Sequence, residues 1–286
     1  MSLQSQGASG GTWHHGLTEH HTSWECDLSM AIHNVLINVS DVARSADFYA
    51  RLLGGQQLGA ATADGAVLDF VTATIELRRV DGAVPSTWHE DDQHLGFRHV
   101  GFKVAQVDPL VAELRLAGVP FRLEPVDAVG GVRIAFFFDP DGTVLEVVEG
   151  NLQYHDVVDR DAVAAERATA TPSRPRFDHV GVTIRDLAAT ADLYRPLGFQ
   201  NIGTLFFQDD PRGFRIDYLK GGGSVIEVFS FDVEVFPVPP LTDALGFLAV
   251  ELEGDATALP QLSTVGTVAG RTVYADANDF AVMVGR

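Results

Sequence analysis

SDVARSADFYARLLGG at residues 40–55 and RDLAATADLYRPLGF at residues 185–199 are two versions of one helical segment. They share an ADxY core. Tyr49 and Tyr194 lie 145 positions apart, and so do Asn34 and His179 in the strands just before them. A repeat at fixed spacing sets the architecture, so it is read before any single element. The unit recurs inside each half. HVGFKVAQVDPLVAELRLAGV (99–119) has the same strand-then-helix order, and FLAVELEGDATALPQL (247–262) follows it more loosely.

Each unit opens on period-2 alternation. Val35, Ile37 and Val39 fall on one face, Asn34, Leu36 and Asn38 on the other, as in a strand covered on one side. A helix follows. In the second unit Asp108 suits the N-cap, Pro109 the first helical position and Gly118 the C-terminal cap. Leu110, Val111, Leu114 and Ala117 recur at helical spacing and would cover the sheet. The units close on apolar runs that carry an acid: TIELRRV (74–80), TVLEVVEG (143–150) and SVIEVFSF (224–231). Turn residues precede the last strand in DPDG (139–142) and KGGGS (220–224). The fold expected is α+β, four βαβββ modules paired into two cup-shaped mixed sheets with helices packed outside.

The chain of 286 residues has room for two domains, and a formal net charge of -19 makes nucleic acid and anionic membrane poor partners. No run approaches the roughly 20 apolar residues of a membrane span. The single cysteine, Cys26, excludes an intrachain disulfide, and with no basic-then-apolar start the expected location is cytoplasmic. Residues 1–29 show no period, and their cluster of His14, His15, His20 and His21 reads as a flexible leader with adventitious metal affinity. The domains expected are then 30–150, a polar linker at 151–176 with Pro172 and Pro175, and 177–286.

HVGVTIRDLAATADLYRPLGF (179–199) and FFFDPDGTVLEVVEG (136–150) resemble the opening and closing segments of the vicinal oxygen chelate superfamily, which includes glyoxalase I, methylmalonyl-CoA epimerase, extradiol dioxygenases and bleomycin resistance proteins. The resemblance covers about residues 31–286 apart from the linker. It implies a divalent metal held at the start of opening strands and by acids of closing strands. Carried over position by position, it offers Asn34 and Glu76, His99 and Glu146, His179 and Glu227, and in the fourth module Phe247 and Met283, which cannot ligate. His33 shares the helix-side face of Val35 and points away unless a bulge intervenes. The metal candidates are therefore His99, Glu146, Glu76, His179 and Glu227, with Glu146 and Glu76 as catalytic acids or bases. Imidazole with carboxylate suits Zn, Ni, Co, Mn or Fe.

The resemblance implies a metal-dependent glyoxalase- or epimerase-type isomerase or lyase acting on a small molecule with adjacent oxygens, in a monomer or homodimer. An extradiol-type Fe(II) dioxygenase and a metal-free binding or resistance protein are the alternatives. Phe136, Phe137 and Phe138 read as core, with one ring at most lining the cup, and Tyr154 and His155 as linker. Two pairings are open. Short connections within each half favour pairing of sequence neighbours, whereas pairing of the inner modules would unite His99, Glu146, His179 and Glu227.

Overall fold

The computed structural model describes residues 32–285, so the leader lies outside the described residues. The first module runs β1 (Ile32–Val39), α1 (Val42–Asp47), β2 (Gln56–Gln57), β3 (Gly65–Asp69) and β4 (Thr74–Arg79). The second is β5 (Gly96–Lys103), α2 (Val107–Leu116), β6 (Phe121–Ala128), β7 (Val132–Phe138) and β8 (Val144–Glu149). A segment with β9 (Asp156–Val157) and α3 (Arg160–Ala168) leads to the third: β10 (Arg176–Thr183), α4 (Leu187–Tyr194), β11 (Gln200–Phe206), β12 (Arg215–Gly221) and β13 (Ser224–Ser230). The fourth keeps β14 (Gly246–Glu253), β15 (Ser263–Val268), β16 (Arg271–Ala275) and β17 (Ala281–Gly285). Its helix has shrunk to one 3₁₀ turn, Ala256–Ala258, just before Pro260, which cannot donate to a continuing helix. None of the described helices is long and apolar enough to cross a membrane.

Local sequence explains the helix starts. Asp41 caps α1 by accepting from the Arg44 N–H at 3.0 Å, and Asp186 caps α4 by accepting from the Ala189 N–H at 2.8 Å. Helix α2 starts earlier than its sequence suggests. Gln106 holds the cap position with no side-chain bond, and Asp108 lies in the first turn, paired with Arg133. Gly118 takes the left-handed φ of +77° past the helix end, as expected.

The strands form two mixed sheets. One has eight strands, β15-β16-β17-β14-β1-β4-β3-β2, and the other nine, β6-β7-β8-β5-β10-β13-β12-β11-β9. The first module therefore shares a sheet with the fourth, and the second with the third. Pairing of sequence neighbours is not what forms, so 30–150 and 177–286 each contribute to both sheets. The physical reason is that loop length discriminates weakly, because closure entropy rises only logarithmically with it. Nor is 151–176 a bare linker: it forms β9, which pairs with β11, and α3.

The two cups sit back to back. One continuous core takes Val35, Ile37 and Val39 from β1, Val111 and Leu114 from α2, Leu193 and Tyr194 from α4, and Val250 from β14. Sequence neighbours meet across this core instead of along a sheet. The buried Tyr49 hydroxyl donates to Asp139 Oδ2 at 2.9 Å, and Tyr194 donates to Asp276 Oδ2 at 2.9 Å. Each ADxY tyrosine thus ties its own module to an Asp in the last turn of the next.

Candidate metal centre

The inner cup is organised by its central antiparallel pair, β5 and β10. His99 lies opposite Gly181, and His179 opposite Gly101. Each ring packs over the glycine facing it. A Cβ on Gly101 would fall 2.1 Å from His179 Cε1, and one on Gly181 would fall 2.3 Å from His99 Cε1. The motif His-Val-Gly, at 99–101 and again at 179–181, is therefore one reciprocal device: each strand supplies a ligand and the space for its partner's.

Glu146 arrives on β8 beside Gly101, and Glu227 on β13 beside Gly181. The four side chains are buried, and one ligand atom from each lies within 4.8 Å of all the others. His99 Nε2 and His179 Nε2 are 3.0 Å apart, and both face Glu146 Oε2, at 3.1 and 2.8 Å. Glu227 Oε2 stands back at 3.6 Å from each ring. Two ring nitrogens and a carboxylate aimed at one point are poorly served by protons, since only one can lie between the rings. A cation at that point would satisfy all of them, and the donor set of two nitrogens and two oxygens fits a borderline divalent ion.

Burial alone would raise the Glu146 carboxyl, but hydrogen bonds with His179 and His99 outweigh it and hold it at about 2. Burial alone would likewise lower the His179 imidazole. The carboxylates of Glu227, Asp178 and Glu146 reverse that and raise it well above its ordinary value. Asp178 Oδ2 lies 3.1 Å from His179 Nδ1. Accepting the Nδ1 proton leaves Nε2 free toward the cluster, the usual role of a carboxylate behind a ligating histidine.

Asp178 reaches this position through a bulge. The register passes from Phe177 opposite Phe102 to His179 opposite Gly101, so Asp178 is the extra residue, and Arg98 is extra in the same way beside His99. A bulge turns two successive side chains to one side, and both pairs line the cavity. Sequence alternation carries no mark of an unpaired residue, so Asp178 and Arg98 were not read as site residues. The bulge recurs at His33 on β1, where the register jumps from Ile32 opposite Leu252 to Asn34 opposite Glu251. His33 accordingly sits on the concave side with Nε2 3.7 Å from Glu251 Oε2, contrary to the unbulged reading.

A cavity of about 500 Å³ opens over the four donors. Phe136 is the one member of the Phe136–Phe138 run that lines it, standing edge-on to His99 with ring centres 5.1 Å apart. The segment after β8 closes over the mouth, with Glu166 and Thr169–Pro172 in the lining. Tyr154 is buried beneath that segment and donates to Glu166 Oε2 at 2.8 Å.

The outer cup does not repeat this centre. Glu76 lies beside Leu36 on β1, the position matching Glu227, and so belongs to a different sheet from the other four candidates. Asn34 donates to Glu76 Oε2 at 2.9 Å and to Glu251 Oε2 at 3.2 Å. Arg271 Nη1 donates to Glu251 at 2.8 Å and Nη2 to Glu76 Oε1 at 2.5 Å. The fourth module is also one dipeptide out of the register expected for it. Gly96-Phe97 matches Gly246-Phe247, both glycines with left-handed φ of +82° and +93°, so Ala249, not Phe247, holds the histidine position. Met283 does stand where Glu146 stands, opposite Glu251.

Residues 31–147 match the Glyoxalase/Bleomycin resistance protein/Dioxygenase superfamily, and the same βαβββ unit is repeated through the rest of the described chain. Residues 31–147 belong to that superfamily. The uncharacterized protein YwkD of Bacillus subtilis (strain 168) is 29% identical over 126 residues, which is 43% of this chain and 98% of that protein. Glyoxalase I from Zea mays superposes with a TM-score of 0.61 at 18% identity, covering 90% of this chain and 92% of that one. A single-substitution mutant of the maize enzyme gives 0.64 at 19% identity, with 90% and 92% covered. At such identities the likeness is one of fold.

Proposed function

We propose that the protein is a divalent-metal-dependent isomerase or lyase of the glyoxalase or epimerase type, acting on a small molecule with two adjacent oxygens. The observation that carries this reading is the convergence of His99, Glu146, His179 and Glu227 in the lining of one cavity. Beside the two histidines and Glu146 stands a second carboxylate, Glu227, 3.6 Å from both rings; a base at that place favours isomerase or lyase chemistry over a dioxygenase.

His99, His179 and Glu146 would hold the ion, with Asp178 fixing the tautomer of His179. A bound divalent ion supplies Lewis-acid stabilisation of negative charge on adjacent substrate oxygens. Glu227 is the freer carboxylate, 3.6 Å from both rings, and is the residue placed to take a proton from the substrate carbon and return it. Glu146, whose Oε2 lies 3.1 and 2.8 Å from the two ring nitrogens, is better suited as a permanent ligand. Glu76, engaged by Arg271 in the other cup, takes no part in it.

Solvent exchange tests the reading. Protein loaded with each of Zn, Ni, Co, Mn and Fe(II) is incubated in deuterated water with α-hydroxy ketones and with hemithioacetals, and the carbon-bound hydrogen is followed by NMR. Exchange that depends on metal and disappears in Glu227→Gln is expected. Protein that takes up no metal would instead support a metal-free binding protein.

A further inference from the structure

The strongest feature that the metal centre leaves unused is Arg98. The bulge on β5 places it beside His99 in the lining of the cavity, where it is only 4% exposed. Its guanidinium donates through Nη2 to the carbonyls of His89 and Glu90, at 2.8 and 3.3 Å, and lies 5.2 Å from the centre of the Trp88 ring. Among the described residues it has no ion pair, and Nε and Nη1 have no protein acceptor. A buried guanidinium without a counter-ion is costly unless something else supplies the charge. The exposed Arg122 lies over the same Trp88 ring at 5.7 Å and over Phe136 at 5.9 Å.

Burial pulls the Arg98 pKa down to about 10 although Asp92 and Asp91 favour its charge from a distance, and no acid in the lining bonds to it. Asp92 is taken by Arg212, Glu149 accepts from the Val107 N–H, Glu166 accepts from Tyr154, and Asp178 serves His179. Glu146 and Glu227 are committed to the histidine cluster, where two carboxylates cancel the charge of one divalent ion. Arg98 thus reaches the cavity with no acid bonded to it.

We propose that the cavity selects substrates carrying an oxyanion, a carboxylate or a phosphate, seated on the free edge of Arg98 with Arg122 at the entrance. This rests on the reading of the cavity as a substrate site, but not on metal being present, since the guanidiniums are part of the chain. A planar fork of N–H donors matches both oxyanions.

The test is calorimetric titration of the full chain, after chelator treatment and again after metal loading, with succinate, inorganic phosphate and the neutral succinamide. Succinate or phosphate should bind both forms, with succinamide at least tenfold weaker. Whichever oxyanion binds tighter identifies the source. Arg98→Gln should weaken the anion at least tenfold, Arg98→Lys less, and Arg122→Gln severalfold. If Arg98→Gln does not fold, Arg98→Lys and Arg122→Gln carry the test. Equal binding of succinamide and succinate, no effect of either arginine, or no anion binding at all would overturn the proposal. Anion binding that survives in protein unable to take up metal would leave this inference standing while the proposed function fell.

Discussion

The inner and outer cups set equivalent strands in the same order, the inner with β9 added at one edge, and they part at the centre of their opening strands. The inner pair reads His99-Val100-Gly101 against His179-Val180-Gly181; the outer pair reads Asn34-Val35-Leu36 against Ala249-Val250-Glu251. In the inner cup the glycines leave room for two rings, and a cavity remains above them. In the outer cup Leu36 takes the place of Gly181 and packs with Leu248, Val273 and Met283 in an apolar cluster that fills the concave side. The two acids that survive there, Glu76 and Glu251, are bridged by the Arg271 guanidinium. One cup thus directs its carboxylates at a point suited to an added cation, and the other carries its cation as a side chain. The difference teaches that in this fold a ligand site and a packed core are alternatives at the same positions.

The first way to break this comparison is to empty the outer cup. Leu36→Ala should cost about 2–5 kcal/mol, as for other fully buried leucines, and leave metal content unchanged. A denaturant titration with little change would mean that the apolar cluster is not holding the cup. Next in size is Arg271→Met, expected to cost about 2–3 kcal/mol because Glu76 and Glu251 then face each other without a cation. Their repulsion is relieved when either carboxylate takes a proton. The deficit should therefore shrink as pH falls toward the carboxylate range, and a deficit independent of pH would count against the bridge.

In the inner cup, Gly181→Ala should displace the His99 ring, costing about 1–3 kcal/mol by overpacking and sharply lowering metal affinity. Metal binding equal to wild type would mean that the rings do not need the glycines. The smallest effect expected is a proton release. Because His179 is held above the ordinary imidazole value, an ion entering at neutral pH must displace its proton. Buffers of different ionisation enthalpy should report that release, and affinity should drop by about tenfold per pH unit for each proton displaced. Uptake without proton release would place the ion elsewhere.

Much of this was legible in the sequence. The ADxY repeat and the strand period gave the four modules, and the acids in apolar runs gave Glu146 and Glu227, because a lone carboxylate among valines needs a partner. What escaped were features that alternation does not encode. Bulged residues such as Arg98 and Asp178 break the two-residue period at single points, so the period assigns them to the wrong face. In the fourth module FLAV resembles HVGF in pattern, yet the left-handed Gly246 matches Gly96, which shifts the true register by two residues. Which modules share a sheet was not written in the connections, since a polar segment of 26 residues can join independent domains or, as here, cross the mouth of one cup.

The central claim is that metal is held once, in the inner cup, by residues from both halves of the chain. Elemental analysis of the purified full-length protein, beside His179→Ala and Glu76→Gln, tests it most directly. Histidines in residues 1–29 are common to all three proteins and cancel in the comparison. The account predicts that wild type and Glu76→Gln carry the same metal content and that His179→Ala carries one ion fewer per chain. Loss of the ion in Glu76→Gln, or its retention in His179→Ala, would contradict it.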